Sequence, residues 1–301
     1  MQERVGQAVE AITIQAPAKI NLALHVTGRR PDGFHLIDSL AVFTRFGDRV
    51  TVAPADRDSF TITGAFASGL QADDTNLVPR ARDALRREFP GHTGQPVSIM
   101  LEKNLPVASG VGGGSSDAAA TLRGLAQFWQ LGLGEAELAR IGLSLGADVP
   151  MCLAARPLIA RGIGELLSPV PDFPALGMVL VNPGAPVATA AVFAALGRRD
   201  NEALPPLLPK NLDFHSICNW LETTRNDLEP PARAIEPAIN GALAALRKAG
   251  GHFARMSGSG ATCFGLFETG NVAKRAATKI RARQPGWFVA ATRNTASEGS
   301  Q

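Results

Sequence analysis

Residues Gly110, Val111, Gly112, Gly113 and Gly114 run directly into Ser115, Ser116, Asp117 and three alanines. A stretch this rich in glycine normally marks a flexible linker, whereas serines, an acid and alanines open helices. The combination suits an anion. A backbone that wraps a phosphate turns several N–H groups inward, and glycine takes the required angles cheaply and lets the ligand approach. A helix N-terminus adds unpaired N–H groups and about half a positive charge. On this reading the backbone of Pro106, Val107, Ala108 and Ser109, continuing through the glycines to Ser115 and Ser116, wraps phosphates. Ser115 or Ser116 caps the helix and offers a hydroxyl. The plainer alternative is a flexible loop followed by a well-capped helix.

Spacing excludes the two common phosphate loops. The pattern GxxxxGK[ST] needs a lysine after its last glycine, and none is there. The fingerprint GxGxxG, counted from Gly110, ends on Ser115, and no ribose-binding acid follows at the expected distance.

Other residues of chemical interest lie far from this segment. Lys19, in "PAKINLALHV", interrupts an apolar strand, where an unpaired ammonium is costly. Asn21 shares its face if the alternation holds. Asp148, in "LGADVP", sits between the helix-stopping Gly146 and Pro150, so it projects from a rigid turn. Phe34 and His35 follow a Pro-Asp-Gly turn, and Gly258, Ser259 and Gly260 form a second glycine turn. Lys103 precedes the glycine-rich segment, either as a solvated strand end or as a contact for a bound ligand, and the stretch 75–78 is a second candidate for such a contact.

The elements that must position these residues are read from periodicity. The first half opens with β-rich alternation interrupted at Pro17, then the turn at 31–33 and a second strand. Further strands are expected at 49–52, 59–63 and 97–101, with a helix around "NLVPRARDALRREF". Helices over 116–130 and 135–145 follow. A proline-rich passage at 168–174 is the expected boundary between two domains, 1–168, which holds the glycine-rich segment, and 169–301. Beyond it come the strand "GMVLVN", the short helix "TAAVFAAL", the helix "IEPAINGALAALRKAG", a strand pair around "MSGSGAT", the helix "NVAKRAATKIRAR" and the strand "GWFVAAT". This mixture indicates an α+β chain. The stretch 204–214 reads as an ordered loop, while the first ten residues and the tail "TASEGSQ" look peripheral.

Composition excludes several classes of function. Of 301 residues, 45% are hydrophobic and 19% charged, which is a globular balance and not a disordered one. A net charge of +3, carried by scattered arginines, does not suggest nucleic acid. Cys152, Cys218 and Cys263 lie far apart with no CxxC pair, so reduced thiols are expected. No apolar run has signal-peptide or membrane-spanning character, so a soluble cytoplasmic protein is expected, either a monomer or a weak homodimer.

Three stretches carry a resemblance. "LPVASGVGGGSSDAAA" is similar to the ATP-binding motif of the GHMP kinases, the superfamily of galactokinase, homoserine kinase, mevalonate kinase and phosphomevalonate kinase. "PAKINLALHVTGRRPDGFH" resembles their N-terminal motif and "MSGSGATCFGLF" their C-terminal one. The three occur in order and span nearly the whole chain. The resemblance implies a two-domain α+β fold, with a ribosomal-protein-S5-domain-2-like N-terminal domain, a ferredoxin-like C-terminal domain and the active site in the cleft between them. It implies ATP-dependent phosphorylation of a hydroxyl, with magnesium arriving with ATP and no dedicated metal site.

In detail, "RPDGFH" and "LGADVPMCL" resemble the members that act on a cytidyl-bearing small molecule. Carried over residue by residue, Asp148 is the general base and Lys19 lies beside it. Asn21 positions substrate, Phe34 stacks on the cytosine, His35 reads its polar edge, and Phe193, with Thr189 nearby, forms the opposite face. Gly258, Ser259 and Gly260 lie near the substrate phosphates, and Lys103 belongs with the ATP site. Phe34 stands where tyrosine is familiar, and the chain contains no tyrosine. The π face remains for stacking, but a hydroxyl contact is absent. The alternatives are a homoserine or mevalonate type of kinase, a decarboxylase that phosphorylates transiently, and a nucleotide-binding sensor without catalysis. Retention of both Lys19 and Asp148 counts against the sensor.

Overall fold

The computed structural model describes residues 10–207 and 212–296. The expectations about the N-terminal extension and the tail therefore fall largely outside the described residues, as do positions 208–211 of the 204–214 stretch. The chain packs as two compact units, and neither is continuous in sequence. The first comprises residues up to Ala16, Asp48–Asn104 and Gly114–Leu153; the second comprises Pro17–Gly47, Leu105–Gly113 and the residues from Ala154 onward. A single cut at 168/169 does not describe this packing, because the first two strands and the glycine-rich segment each leave one unit for the other.

Strand β1 (Ile12–Arg29) and strand β2 (His35–Pro54) contribute to both units. The break expected at Pro17 is not found, since β1 runs straight through it. Among the described residues β1 pairs in its sheet with β2 alone, and an edge strand tolerates a residue without an N–H. The first unit continues with β3 (Ser59–Thr63), α1 (Leu77–Glu88) and β4 (Val97–Glu102). β3 and β4 are parallel, with α1 as the crossover such pairing needs, while the end of β2 pairs antiparallel with β4. Alternation in β4 buries Val97, Ile99 and Leu101 and exposes Met100. Asn76 caps α1, its side chain accepting from the Val78 N–H at 3.0 Å.

Next come α2 (Gly113–Phe128), α3 (Glu135–Leu143) and α4 (Val149–Ala154). α2 starts three residues earlier than expected, because Gly113 and Gly114 accept helical geometry. Ser115 and Ser116 therefore lie in its first turn and do not cap it. Most of α2 is buried, which is why its sequence is alanine-rich and carries little charge.

The second unit adds β5 (Leu158–Gly162), β6 (Leu166–Pro169), β7 (Gly177–Asn182), α5 (Thr189–Ala194), α6 (Phe214–Glu222) and α7 (Glu229–Ile235). It ends with α8 (Ala238–Lys248), β8 (Phe253–Met256), β9 (Cys263–Phe267), α9 (Gly270–Arg283) and β10 (Phe288–Arg293). The early part of β2 pairs antiparallel with β5, and β5 with β6. A second, antiparallel sheet has the order β10-β7-β9-β8. Every residue of β7 is buried because both faces of this sheet are covered. Val179 and Val181 join one core with Leu243 and Leu246 of α8 and Ile280 of α9. Met178 and Leu180 join another with Ile20, Leu22, Leu40 and Val111. Leu204, Leu207 and Leu212 pack on that second core. The three cysteines are buried and form no disulfide, and no helix of the described residues is long and apolar enough to cross a membrane.

Candidate active site

In the second unit, three of the singled-out stretches are joined by hydrogen bonds. Ala18, Ile20 and Leu22 of β1 are fully buried, which fixes the strand that carries Lys19 and Asn21. The Lys19 N–H donates to the Val111 carbonyl at 2.9 Å. The Asn21 N–H donates to the Ser257 hydroxyl at 3.1 Å, and that hydroxyl donates to the Gly110 carbonyl at 3.0 Å. The Thr262 N–H donates to the Ser109 carbonyl at 3.1 Å. Backbone thus lies against backbone, and only glycine fits. A Cβ on Gly110, whose φ is +75°, would stand 2.4 Å from the Ser257 carbonyl oxygen. A Cβ on Gly112 would come within 3.2 Å of Lys19 Cε, so the loop lies along the lysine stem.

Around this junction stand side chains with unused polar atoms. Asn21 Nδ2 donates to the Ser39 hydroxyl at 2.8 Å, and Ser39 donates to the Ala23 carbonyl at 2.7 Å. The amide is thereby oriented with Oδ1 buried and facing no donor, on the side of Gly258. Thr189, the first residue of α5, shares a hydrogen bond of 2.8 Å with the Ser259 hydroxyl. The turn between β1 and β2 is closed by the Arg30 N–H donating to the Phe34 carbonyl at 2.8 Å. This leaves Phe34 57% exposed and directs His35 onto Phe193, with ring centroids 4.7 Å apart. The ring facing Phe193 is therefore His35 and not Phe34. The His35 Nε2 atom is buried without a partner. Burial lowers the His35 pKa, and the nearby guanidinium groups of Arg29 and Arg199 lower it further, so the imidazole is neutral near pH 7.

In the first unit, the Asp148 side chain is half-buried at the start of α4, where its carbonyl accepts from the Cys152 N–H at 3.1 Å. The stretch 75–78 opens α1, with the Asn76 side chain spent on the cap. Lys103 corrects the sequence reading. Its ammonium is not a solvated strand end; it donates to Asp48 Oδ2 at 2.5 Å and to Asp117 Oδ2 at 2.6 Å. All three side chains are at most 4% exposed. The signal was present in the alternation of β4, because Lys103 follows Val97, Ile99 and Leu101 on the buried face. Burial pulls the Lys103 pKa down, but the two carboxylates outweigh it and the net shift is upward. Asp117 is more than a dipole-favoured acid. Burial pushes its carboxyl up to about 7, against the attraction of Lys103 and with repulsion from Asp48.

Sequence reasoning missed Ser257 and Ser39, which orient Asn21, and Arg29 and Arg199, which keep His35 neutral. Ser257 lay inside a quoted motif, and its hydroxyl was the available signal. The others show no local pattern. Among the described residues, no three His, Cys, Asp or Glu side chains are grouped to hold a metal.

The family model for the GHMP kinases N terminal domain matches residues 76–156, and that for the GHMP kinases C terminal matches 194–286. The 4-diphosphocytidyl-2-C-methyl-D-erythritol kinase of Mesorhizobium japonicum is 73% identical over 286 residues, covering 95% of this chain and 97% of that protein. A crystal structure of 4-(cytidine 5'-diphospho)-2C-methyl-D-erythritol kinase superposes with a TM-score of 0.76 at 32% identity, over 95% of this chain and 100% of that one. The homoserine kinase of Cytophaga hutchinsonii shares the fold, with a TM-score of 0.69 at 17% identity over 98% of both chains. The chain belongs to the GHMP kinases, within the group of 4-diphosphocytidyl-2-C-methyl-D-erythritol kinases.

Proposed function

We propose that this chain transfers the γ-phosphoryl group of ATP to the 2-hydroxyl of 4-diphosphocytidyl-2-C-methyl-D-erythritol, a step in making isoprenoid precursors. The reading is supported by 73% identity over 95% of the chain to a kinase named for that substrate. The observation in the structure that carries it is the His35–Phe193 stack with its unpartnered Nε2. A neutral imidazole edge beside an aromatic face suits a pyrimidine and has no use for homoserine or mevalonate.

In this reading Asp148 takes the hydroxyl proton, and the oxygen attacks the γ-phosphorus while the bond to the β-phosphate bridging oxygen breaks, releasing ADP. No covalent enzyme intermediate forms. Lys19 is the catalytic cation. The backbone from Pro106 to Ser116 holds the nucleotide phosphates, and magnesium enters with ATP. Asn21 Oδ1 accepts from a substrate hydroxyl, and the turn of Gly258, Ser259 and Gly260 receives the substrate phosphates. ADP release is to be followed with purified protein, ATP and magnesium, offering the cytidyl substrate, homoserine or mevalonate. Release with the cytidyl compound alone supports the reading, and release with either of the others instead overturns it.

A further inference from the structure

The segment 105–113 departs from the first unit after Asn104, and the chain returns to that unit at Gly114. Departure and return are tied by one group of three side chains, Asp48, Lys103 and Asp117. Asp48 Oδ1 accepts from the Asn104 N–H at 2.5 Å, and Asp48 Oδ2 accepts from Lys103 Nζ at 2.5 Å. The same ammonium reaches across to Asp117 Oδ2 at 2.6 Å, on the fifth residue of α2. Lys103 itself is held against β3, its N–H donating to the Thr63 carbonyl at 2.7 Å and its carbonyl accepting from the Phe66 N–H at 3.0 Å. One buried cation thus links the strand end before the glycine-rich segment to the helix start after it.

A segment with four glycines among positions 110–114 has little preference of its own for one shape. Its ability to present N–H groups in a fixed array depends on how its two ends are held. Charge-assisted hydrogen bonds away from water are the strong kind, and a lysine between two carboxylates draws two elements together.

We propose that Asp48, Lys103 and Asp117 form a clasp that sets the distance between the two ends of the phosphate loop. Lys103 is then a positioning residue for ATP, acting through the clasp and not by touching the nucleotide. This rests on the reading of 106–116 as the nucleotide cradle. The clasp carries two carboxylates and one ammonium. Losing one arm at Asp117 leaves Asp48 and Lys103 as a matched pair, whereas losing Lys103 leaves two carboxylates buried together.

The test compares Asp117→Ala, which cuts one arm, with Asp117→Asn, whose amide oxygen still accepts from the ammonium. The readouts are KM for ATP, binding of a non-hydrolysable ATP analogue with magnesium, and binding of CDP. Asp117→Ala is expected to raise the ATP KM roughly ten- to hundredfold, the cost of misplacing a positioning element by about an ångström. CDP binding stays at the wild-type level, and Asp117→Asn recovers most of the ATP affinity. An unchanged ATP KM in Asp117→Ala, or an equal loss for ATP and CDP, overturns the clasp. Gly112→Ala separates this from failure of the cradle. If Gly112→Ala weakens the analogue and Asp117→Ala does not, the clasp alone fails; if neither does, the cradle reading fails with it. Lys103→Met is the harsher version and is read only if the protein remains soluble.

Discussion

His35 and Phe193 stack with their planes 27° apart, although the two residues are far apart in the sequence and belong to β2 and α5. An arginine bonds to the backbone beside each ring: Arg29 donates to the Gly33 carbonyl in the turn before His35, and Arg199 to the Ala194 carbonyl just after Phe193. Removing the Phe193 ring is expected to weaken the cytidyl substrate by about 1–3 kcal/mol, the usual worth of one stacked base. Phe193→Ala should therefore raise the KM for that substrate roughly ten- to hundredfold and leave the KM for ATP unchanged. Steady-state kinetics with each substrate varied in turn reads both. Equal losses for the two substrates would remove Phe193 from the base site.

Asp148→Asn and Lys19→Ala are each expected to fold and to lose turnover by at least about 10²- to 10⁴-fold, the worth of a positioned general base. Residues that act as one unit give non-additive losses. The double variant should accordingly be hardly slower than the worse single one. Near-normal kcat in either soluble single variant would sink the assignment of that residue.

What the sequence disclosed and withheld has physical reasons. The backbone-wrapping stretches were legible because glycine at 110, 112, 258 and 260 serves a local need. β4, α1 and the β8–β9 strand pair followed from clean periods. The helix expected from Ile235 divides at Pro237 into the end of α7 and the start of α8, as a proline at a helix start prescribes. α6, most of α7, and the β5–β6 pair were not anticipated. These are short, and Arg161 and Glu165 break the apolar alternation around the β5–β6 turn. The clasp was out of reach for another reason. Asp48, Lys103 and Asp117 stand 55 and 14 positions apart in sequence, and only the folded chain brings them within hydrogen-bonding distance.

Gly110→Ala should be costly for two separable reasons. An alanine held at φ of +75° is strained by about 1–2 kcal/mol. Its Cβ would also press on the Ser257 carbonyl oxygen and on the Gly260 nitrogen, 2.6 Å away, and both are backbone atoms. Gly69→Ala isolates the first term, since Gly69 has φ of +85° with nothing within 4 Å. Chemical denaturation should show a clearly larger loss for Gly110→Ala than for Gly69→Ala, and only the former should weaken ATP. Equal losses would mean that the packing of the two glycine turns carries no energy.

His25 should make stability fall in mild acid. The ring is 1% exposed, with Nδ1 2.9 Å from the Glu202 carbonyl and Nε2 3.1 Å from the Arg225 N–H. A carbonyl only accepts and an N–H only donates, so Nδ1 carries the proton and Nε2 is the acceptor. Adding a second proton would turn Nε2 into a donor facing the Arg225 N–H. Burial lowers the His25 pKa; the Glu202 carbonyl opposes this, the Arg225 guanidinium adds to it, and Asp227 opposes it. The unfolded chain, with a pKa near 6.5, therefore takes the proton before the folded one does. Stability from this group is complete above that value and is lost as pH falls through it toward the lower folded pKa. The slope cannot exceed about 1.4 kcal/mol per pH unit for one proton. Around the ring, Asn201 donates to the Val26 carbonyl at 3.1 Å and Asp227 accepts from the Val26 N–H at 2.7 Å. His25→Gln, which cannot titrate and keeps an acceptor, should flatten the decline in melting temperature between pH 6.5 and pH 5 relative to wild type. A decline just as steep in His25→Gln would place its origin in other groups.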